Sequence, residues 1–333
     1  MKRIISLSLS LILIIGLIVI NPKAAKAEKL DDIIGTTPNG TPVTAKQAIE
    51  IQDKLDKAMK NAYKKNISLF NDNGKLDKHL LTTALDNANY LDSQEKDNIL
   101  QLIDKLLEKG KNIVSFSATT YFVTEDEFGI MTPLTKEEIK IEPTTEGNIS
   151  IQNSNEYSAL TVMAIVLDNG STSQKRKYEM YGSVIWKTMQ SDLEIRDNAI
   201  GIRWAGGEAI IGNSSSFTKY KSIYSDGTVY TLTNPCVDII NNGGVIHTMY
   251  GIYTPTNDER YIFAPYWGEV KAYVEQYGAP TQIYNMTCTY IYTWLSLSYS
   301  FSFGSGLSIS VSPTTGTTSY VCSTSYGKGY PPY

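Results

Sequence analysis

Histidine is the scarcest chemically useful residue in this 333-residue chain, which has two. His247 follows a turn signal at Asn241-Asn242-Gly243-Gly244, and Cys236 and Asp238 lie just before it. A hairpin about that turn brings Asp238 opposite His247 and Cys236 close to both. A cysteine beside a histidine is the arrangement for a thiolate nucleophile and its base. No local signature surrounds Cys236, however, and any hairpin brings such residues together. A buried cysteine and a sheet-face histidine explain them as well, so no catalytic residue is assigned. His79 falls in a helical stretch, in another layer.

Metal chemistry has no better footing. Zinc wants clustered cysteine and histidine, and the three cysteines, Cys236, Cys288 and Cys322, are scattered. Asn71-Asp72-Asn73-Gly74 with Asp77 is like a calcium loop, but setting Gly74 at the invariant glycine puts Leu69 at the first ligand position. Glu125-Asp126-Glu127 reads as a solvated turn. Gly206-Gly207 and Gly243-Gly244 are turn pairs, not phosphate loops. No metal ligand and no cofactor is implied.

Aromatic residues are a stronger signal. There are 23 tyrosines, and Tyr261, Phe263, Tyr266 and Trp267 cluster in one short run. Exposed rings on a sheet stack on sugars or sit at a membrane interface. Tyrosine is also a good strand former that packs half-buried.

The elements that must hold these residues change type along the chain. Residues 28–43 have little periodic pattern and read as a flexible leader. Thr44 to Gln47 has the form of a capping box, and Ala48, Ile51, Leu55 and Ala62 recur at helical spacing to about Asn66. A second helix is expected from Leu76 to Asn89. A third follows a capping box at Asp92 and stops at Gly110. Together these make a small helical segment over 44–110. From 113 to 333 valine, isoleucine, threonine and tyrosine dominate, and turns such as Asp168-Asn169-Gly170 recur. The fold class is therefore mainly β: an antiparallel meander, sandwich or elongated sheet behind a helical segment.

Compartment and partners follow from the ends and the charge. Lys2 and Arg3, an apolar run over Ile4–Ile20 and Ala25-Lys26-Ala27 describe a secretory signal peptide over 1–27. The expected location is secreted and extracellular. Cleavage after Ala27 removes Lys2, Arg3, Lys23 and Lys26, which takes the formal net charge from −4 to −8. So acidic a chain is a poor partner for nucleic acid.

The remaining feature is a long hairpin over 283–326, turning at Gly304-Ser305-Gly306. No charged residue occurs from Tyr277 to Gly327. Leu295, Leu297, Tyr299, Phe301 and Phe303 alternate with serines, and so do Leu307, Ile309 and Val311 on the return. Centred on Ser305, the register sets Phe303 against Leu307, Phe301 against Ile309 and Tyr299 against Val311. It also sets Cys288 against Cys322, which predicts a disulfide and leaves Cys236 free. Large side chains hold even positions up to Trp294 and odd positions beyond it. The return strand switches back between Val311 and Tyr320, so the hairpin changes the side it buries.

Residues 295–312, with Trp294 at an interfacial position, resemble the Ser/Thr-rich insertion hairpins of secreted β-pore-forming toxins, such as the aerolysin-like class. The resemblance covers only this stretch and is one of pattern. It implies a bacteriocin-like or pore-forming toxin that meets membrane lipid or a cell-envelope component and assembles as a homo-oligomer. The helical segment would be a shield over the hairpin, with Lys109-Gly110-Lys111 as its cleavage point. The alternative is a non-catalytic cell-wall or glycan-binding sandwich using Tyr261, Phe263, Tyr266 and Trp267. An exported hydrolase is the weakest reading, for want of motifs.

Overall fold

A computed structural model describes residues 30–71, 76–91, 93–139, 141–143, 149–151, 158–172, 174–186, 197–206, 208–209, 214–222, 229–232, 239–241, 243–249, 252–254, 261–277, 283–303, 307–312 and 314–327. The expected signal peptide over 1–27, Asp72 to Gly74, Asp92, Cys236, Asp238 and the expected turn at Gly304 to Gly306 lie outside the described residues.

The chain begins with β1 (Ile33–Thr36), β2 (Pro42–Thr44), α1 (Ala45–Lys60), β3 (Lys64–Phe70), α2 (Lys78–Asp86), α3 (Ser93–Glu108) and β4 (Asn112–Glu125). Next come β5 (Met131–Pro133), β6 (Ile141–Pro143), β7 (Ile149–Ile151), β8 (Ser158–Asp168), β9 (Lys175–Trp186), β10 (Asn198–Trp204) and β11 (Glu208–Ala209). They are followed by β12 (Ser215–Ser222), β13 (Val229–Leu232), β14 (Ile239–Asn241), β15 (Gly244–Met249), β16 (Ile252–Thr254) and β17 (Tyr261–Tyr277). The long hairpin contributes β18 (Ile283–Thr293), β19 (Ser300–Phe303), β20 (Ile309–Ser312) and β21 (Thr317–Gly327).

Two antiparallel sheets make a sandwich. The larger runs β13-β12-β17-β9-β8-β4-β3, with β11 and β16 also on β17 and β5 on β4; the smaller runs β14-β15-β10-β18-β21. β21 lies over β4 and β8, β18 over β8 and β9, and β10 over β9 and β17, so the sheets stack in the same strand order. Alternation explains the layering. On β8, Leu160, Val162, Ala164 and Val166 enter the core between the sheets, while Met163, Ile165 and Leu167 face the other way. Both sets are buried, and the strand therefore reads as an unbroken apolar run.

The far face of the large sheet is roofed by α2 and α3. Leu81, Leu85, Ile99, Leu102, Ile103 and Leu106 pack there on Phe116, Met163, Ile165, Tyr181, Ile185 and Trp267. α1 belongs elsewhere. Its Ala48 and Leu55 join the core between the sheets, and it packs against β2, β5 and β21.

Several expectations need correction. The helical segment over 44–110 is interrupted by β3, which pairs with β4 from Lys64↔Tyr121 to Phe70↔Ser115, and its helices lie on two different layers. The Thr44–Gln47 capping box forms, but α1 ends at Lys60. The expected flexible leader is folded from residue 30 onward, with β1 and β2 pairing from Ile33↔Thr44 to Thr36↔Pro42. β17 is one unbroken strand of 17 residues. Pro265 is tolerated because the pairing with β12 shifts register between Lys219 and Tyr220, where a missing N–H and an extra residue cost least.

Candidate functional site

The base of the long hairpin pairs β18 with β21 in the register expected from the sequence, from Ile283↔Gly327 to Thr293↔Thr317. Even positions point inward, placing Met286, Cys288, Tyr290, Tyr292 and Trp294 in the core between the sheets. Here the tyrosines form an interior ring system. Tyr290 meets Trp186 edge-on at 5.5 Å, and Tyr320 meets Tyr121 edge-on at 5.1 Å.

The predicted disulfide does not form. Cys288 and Cys322 face each other across the two strands, but both are free, buried thiols. Each points at a different part of the opposite sheet. The Cys288 sulfur lies against Gly182 and is bonded by the Ser183 backbone, on β9. Cys322 bonds to Thr119 on β4 and to the Ala164 backbone on β8. Burial pushes the Cys322 thiol up to about 11 and the Cys288 thiol well up, the other thiol adding to the second shift.

The tip is a separate two-stranded ladder, and its register differs from the expected one. Ser300 pairs with Ser312, Phe301 with Val311, Ser302 with Ser310 and Phe303 with Ile309. The cause is the junction. Residues 294–299 join the base to β19, and the shorter 313–316 joins β20 back to it. The outgoing leg is longer by two residues, so the pairing slips by two. An even slip keeps every apolar residue on its original face.

That face is turned back onto the outside of the small sheet. Phe303, Ile309 and Val311 pack on Ala199, Ile246 and Ile291, which are buried outward-facing residues of β10, β15 and β18. The seat is floored by two glycines. A Cβ on Gly201 would fall on Ile309 Cδ1, and one on Gly244 would fall on the Phe303 ring, each closer than real Cβ atoms approach. The Arg203 guanidinium lies 5.3 Å from the centre of the Phe303 ring. Ser296, Ser298, Ser300, Ser302, Ser308, Ser310 and Ser312 face solvent. The matched change of phase read in the sequence is this fold-back. The base buries its even face between the sheets, and the tip buries its odd face outside them.

The other hairpin residues divide at the junction. Leu295 is fully buried in the main core with Trp294, and Leu297 packs half-buried against it. Tyr299 donates from its hydroxyl to the Thr315 carbonyl at 3.1 Å. Leu307 is half-buried, and the Phe301 side chain lies outside the described residues. Trp294 is therefore a core residue in this state, not a member of an interfacial girdle. The expected shield is divided: α2 and α3 sit beyond the large sheet, on the side away from the tip, and α1 lies beside the tip.

Of the aromatic run on β17, Trp267 is closed to a sugar. Trp267 is 4% exposed and packed beneath the helices. Tyr261 pairs with Thr254, Phe263 with Ser222 and Ile252, and Tyr266 falls at the register shift; their side chains lie outside the described residues. His247 is buried between the sheets, 3.2 Å from the Thr218 hydroxyl through Nε2. His79 is exposed on α2. Among the described residues, no group of three or more metal-ligating side chains converges.

One cluster escaped sequence reading. Glu179 on β9 and Glu269 on β17 are buried on the helix side of the large sheet, beneath Lys105, Lys109 and Lys111. Lys111 pairs with Glu179, and Lys105 approaches Glu269 at 3.8 Å. Burial pushes the Glu269 carboxyl up to about 7, against the pull of Lys105, Lys109 and Lys271. Burial and the like charges of Lys271 and Lys109 push Lys111 down to about 8. The available signal was an acid set among largely apolar residues in each stretch, Glu179 in YEMYG and Glu269 in WGEVKA.

No protein-family model matches this sequence, and no curated protein matches it. Among solved structures the chain is similar to Clostridium perfringens delta-toxin, at 7% identity, covering 65% of this chain and 94% of that one, with a TM-score of 0.23. At that score the likeness carries no functional inference.

Proposed function

We propose that this is a secreted membrane- or envelope-acting protein whose working part is the hairpin 295–312, stowed on its own sandwich. One observation carries the proposal. An uncharged hairpin covers an apolar strip on the outside of a sheet that is already complete without it, on a glycine floor shaped to its side chains. A soluble protein normally protects such strands with lysine or glutamate. Here, among the described residues of the tip, the exposed ones are serines.

Release exposes Leu295, Leu297, Tyr299, Phe301 and Phe303 on one strand and Leu307, Ile309 and Val311 on the other. The nine residues from Leu295 to Phe303 match the roughly 9–11 that a tilted membrane strand needs. A lone hairpin in lipid leaves two edges of unpaired backbone, each group costing several kcal/mol, so insertion requires several copies to close a barrel. Its serine face would line the lumen. The glycan-binding alternative loses its tryptophan, since Trp267 is buried.

The test is dye release from lipid vesicles by the mature protein. Release is expected, rising more steeply than linearly with protein concentration. Ile309→Asp places a charge on the apolar face, and it should free the tip yet abolish release. Absence of release by the wild type, and by a variant whose tip is shown to be free, overturns the proposal.

A further inference from the structure

The tip leaves the sandwich at a fork. The regular base ladder ends at Thr293↔Thr317; just beyond it the Trp294 and Leu295 N–H groups donate to the Gly316 carbonyl at 2.9 and 3.3 Å, and the legs then run on into the separate tip. The side chain of Gln52, half-buried on α1, sits in that fork. Its Oε1 accepts from the Trp294 indole Nε1 at 3.2 Å and from the Gly316 backbone N–H at 2.8 Å. Its Nε2 donates to the Thr317 carbonyl at 2.9 Å and to Asp56 Oδ1 at 3.0 Å. One leg supplies Trp294, and the other supplies Gly316 and Thr317. A primary amide carries two donors and two acceptor lone pairs in one plane, and all four are used here.

Little else ties α1 to the tip. A cleft of about 430 Å³ separates them, lined by Asp56 and Met59 on one side and by Ile309, Val311 and Thr314 on the other. The outgoing leg has a second tie from the same N-terminal region, where Ser296 N–H donates to the Thr36 carbonyl at 3.1 Å and Thr36 N–H donates to Ser296 Oγ at 2.8 Å. Both ties bear on the junction, not on the tip itself.

We infer that Gln52 is the latch of the stowed hairpin: its amide pins both legs at the fork and holds Trp294 in the core, so that the tip stays on its seat until α1 lets go. This deepens the membrane reading above and rests on it for its purpose, but not for its physics. For the tip to swing out, the junction at Trp294, Gly316 and Thr317 must change shape. That motion breaks bonds to Gln52. The latch therefore opposes release without contributing to the sandwich ladders.

Hydrogen exchange on the full chain, read by mass spectrometry, tests this directly. Gln52→Leu removes all four bonds at similar volume. Exchange at 300–303 and 309–312 should rise by on the order of tenfold or more, while β8 and β9 stay as they were. Gln52→Glu keeps the two accepted bonds and loses the two donated ones, and it should fall between. Thr44→Ala is the control, since it removes the N-cap of α1 without touching the fork. If Gln52→Leu leaves tip exchange unchanged, or if Thr44→Ala speeds it equally, the latch is refuted. Vesicle release by Gln52→Leu separates the two ideas. Fast tip exchange with no dye release would overturn the membrane reading and leave the latch standing.

Discussion

Replacing Gly201 by alanine asks whether the tip rests where it is described. A glycine inside a strand ordinarily costs about 0.5–1 kcal/mol relative to alanine, so the bare sheet should gain from the change. The seat reverses the sign. The new Cβ falls on Ile309 Cδ1, with the Val245 carbonyl at 3.0 Å and Ile246 Cγ1 at 3.2 Å leaving it no sideways escape. Overpacking of this kind costs roughly 1–3 kcal/mol. Each 1.4 kcal/mol is about tenfold in an equilibrium, so the unseated population should rise about 5- to 100-fold. The strain can relax by lifting a two-stranded tip, which is cheaper than parting the sandwich.

Hydrogen exchange should therefore quicken at 309–312, while the β8 and β9 amides remain protected. Ile309→Ala supplies the decisive partner, because it removes the atom that the new methyl strikes. The double variant should be less perturbed than the two single effects predict, by about 1–2 kcal/mol. Additive effects, or a Gly201→Ala protein more stable than the parent with an unchanged tip, would show that the tip does not lie on Gly201.

Three further outcomes follow from the interior. The Glu269 carboxyl is raised from 4.5 to about 7, so its contribution to stability is complete below about pH 4.5 and lost as the pH rises through about 7; Glu269→Gln should gain up to about 3 kcal/mol on the wild type across that window in denaturant melts. Lys111 titrates in both proteins and cancels in that comparison. Cys288 and Cys322 should resist thiol reagents in the native protein at pH 8 and react when it is denatured without reductant, whereas absence of labelling after denaturation would mean that they are bridged. Trp267→Ala should cost roughly 3–5 kcal/mol as a lost core side chain, with no specific loss of glycan retention.

Much of this architecture was legible as period and punctuation. The all-antiparallel mainly β body, the capping box at Thr44 and the facing of Cys288 with Cys322 follow from local signals, and the structure has them. β3 was missed because Leu55, Ala58 and Ala62 carry a helical spacing toward it. What ends α1 is the offer of an open edge on β4, which no local pattern announces. Glu179 and Glu269 were invisible as parts of one pocket, since they line it together only when β9 and β17 lie side by side under α3.

For the hairpin the division is sharper. Alternation along one chain determined which face is apolar, where that face changes side and that no charge protects it. It could not say what lies beneath the apolar face, because side-chain period is blind to what a strand packs on. The fold-back onto Gly201 and Gly244, the two-residue slip and the amide of Gln52 in the fork join segments from 36 to 317, and only the tertiary structure brings these together.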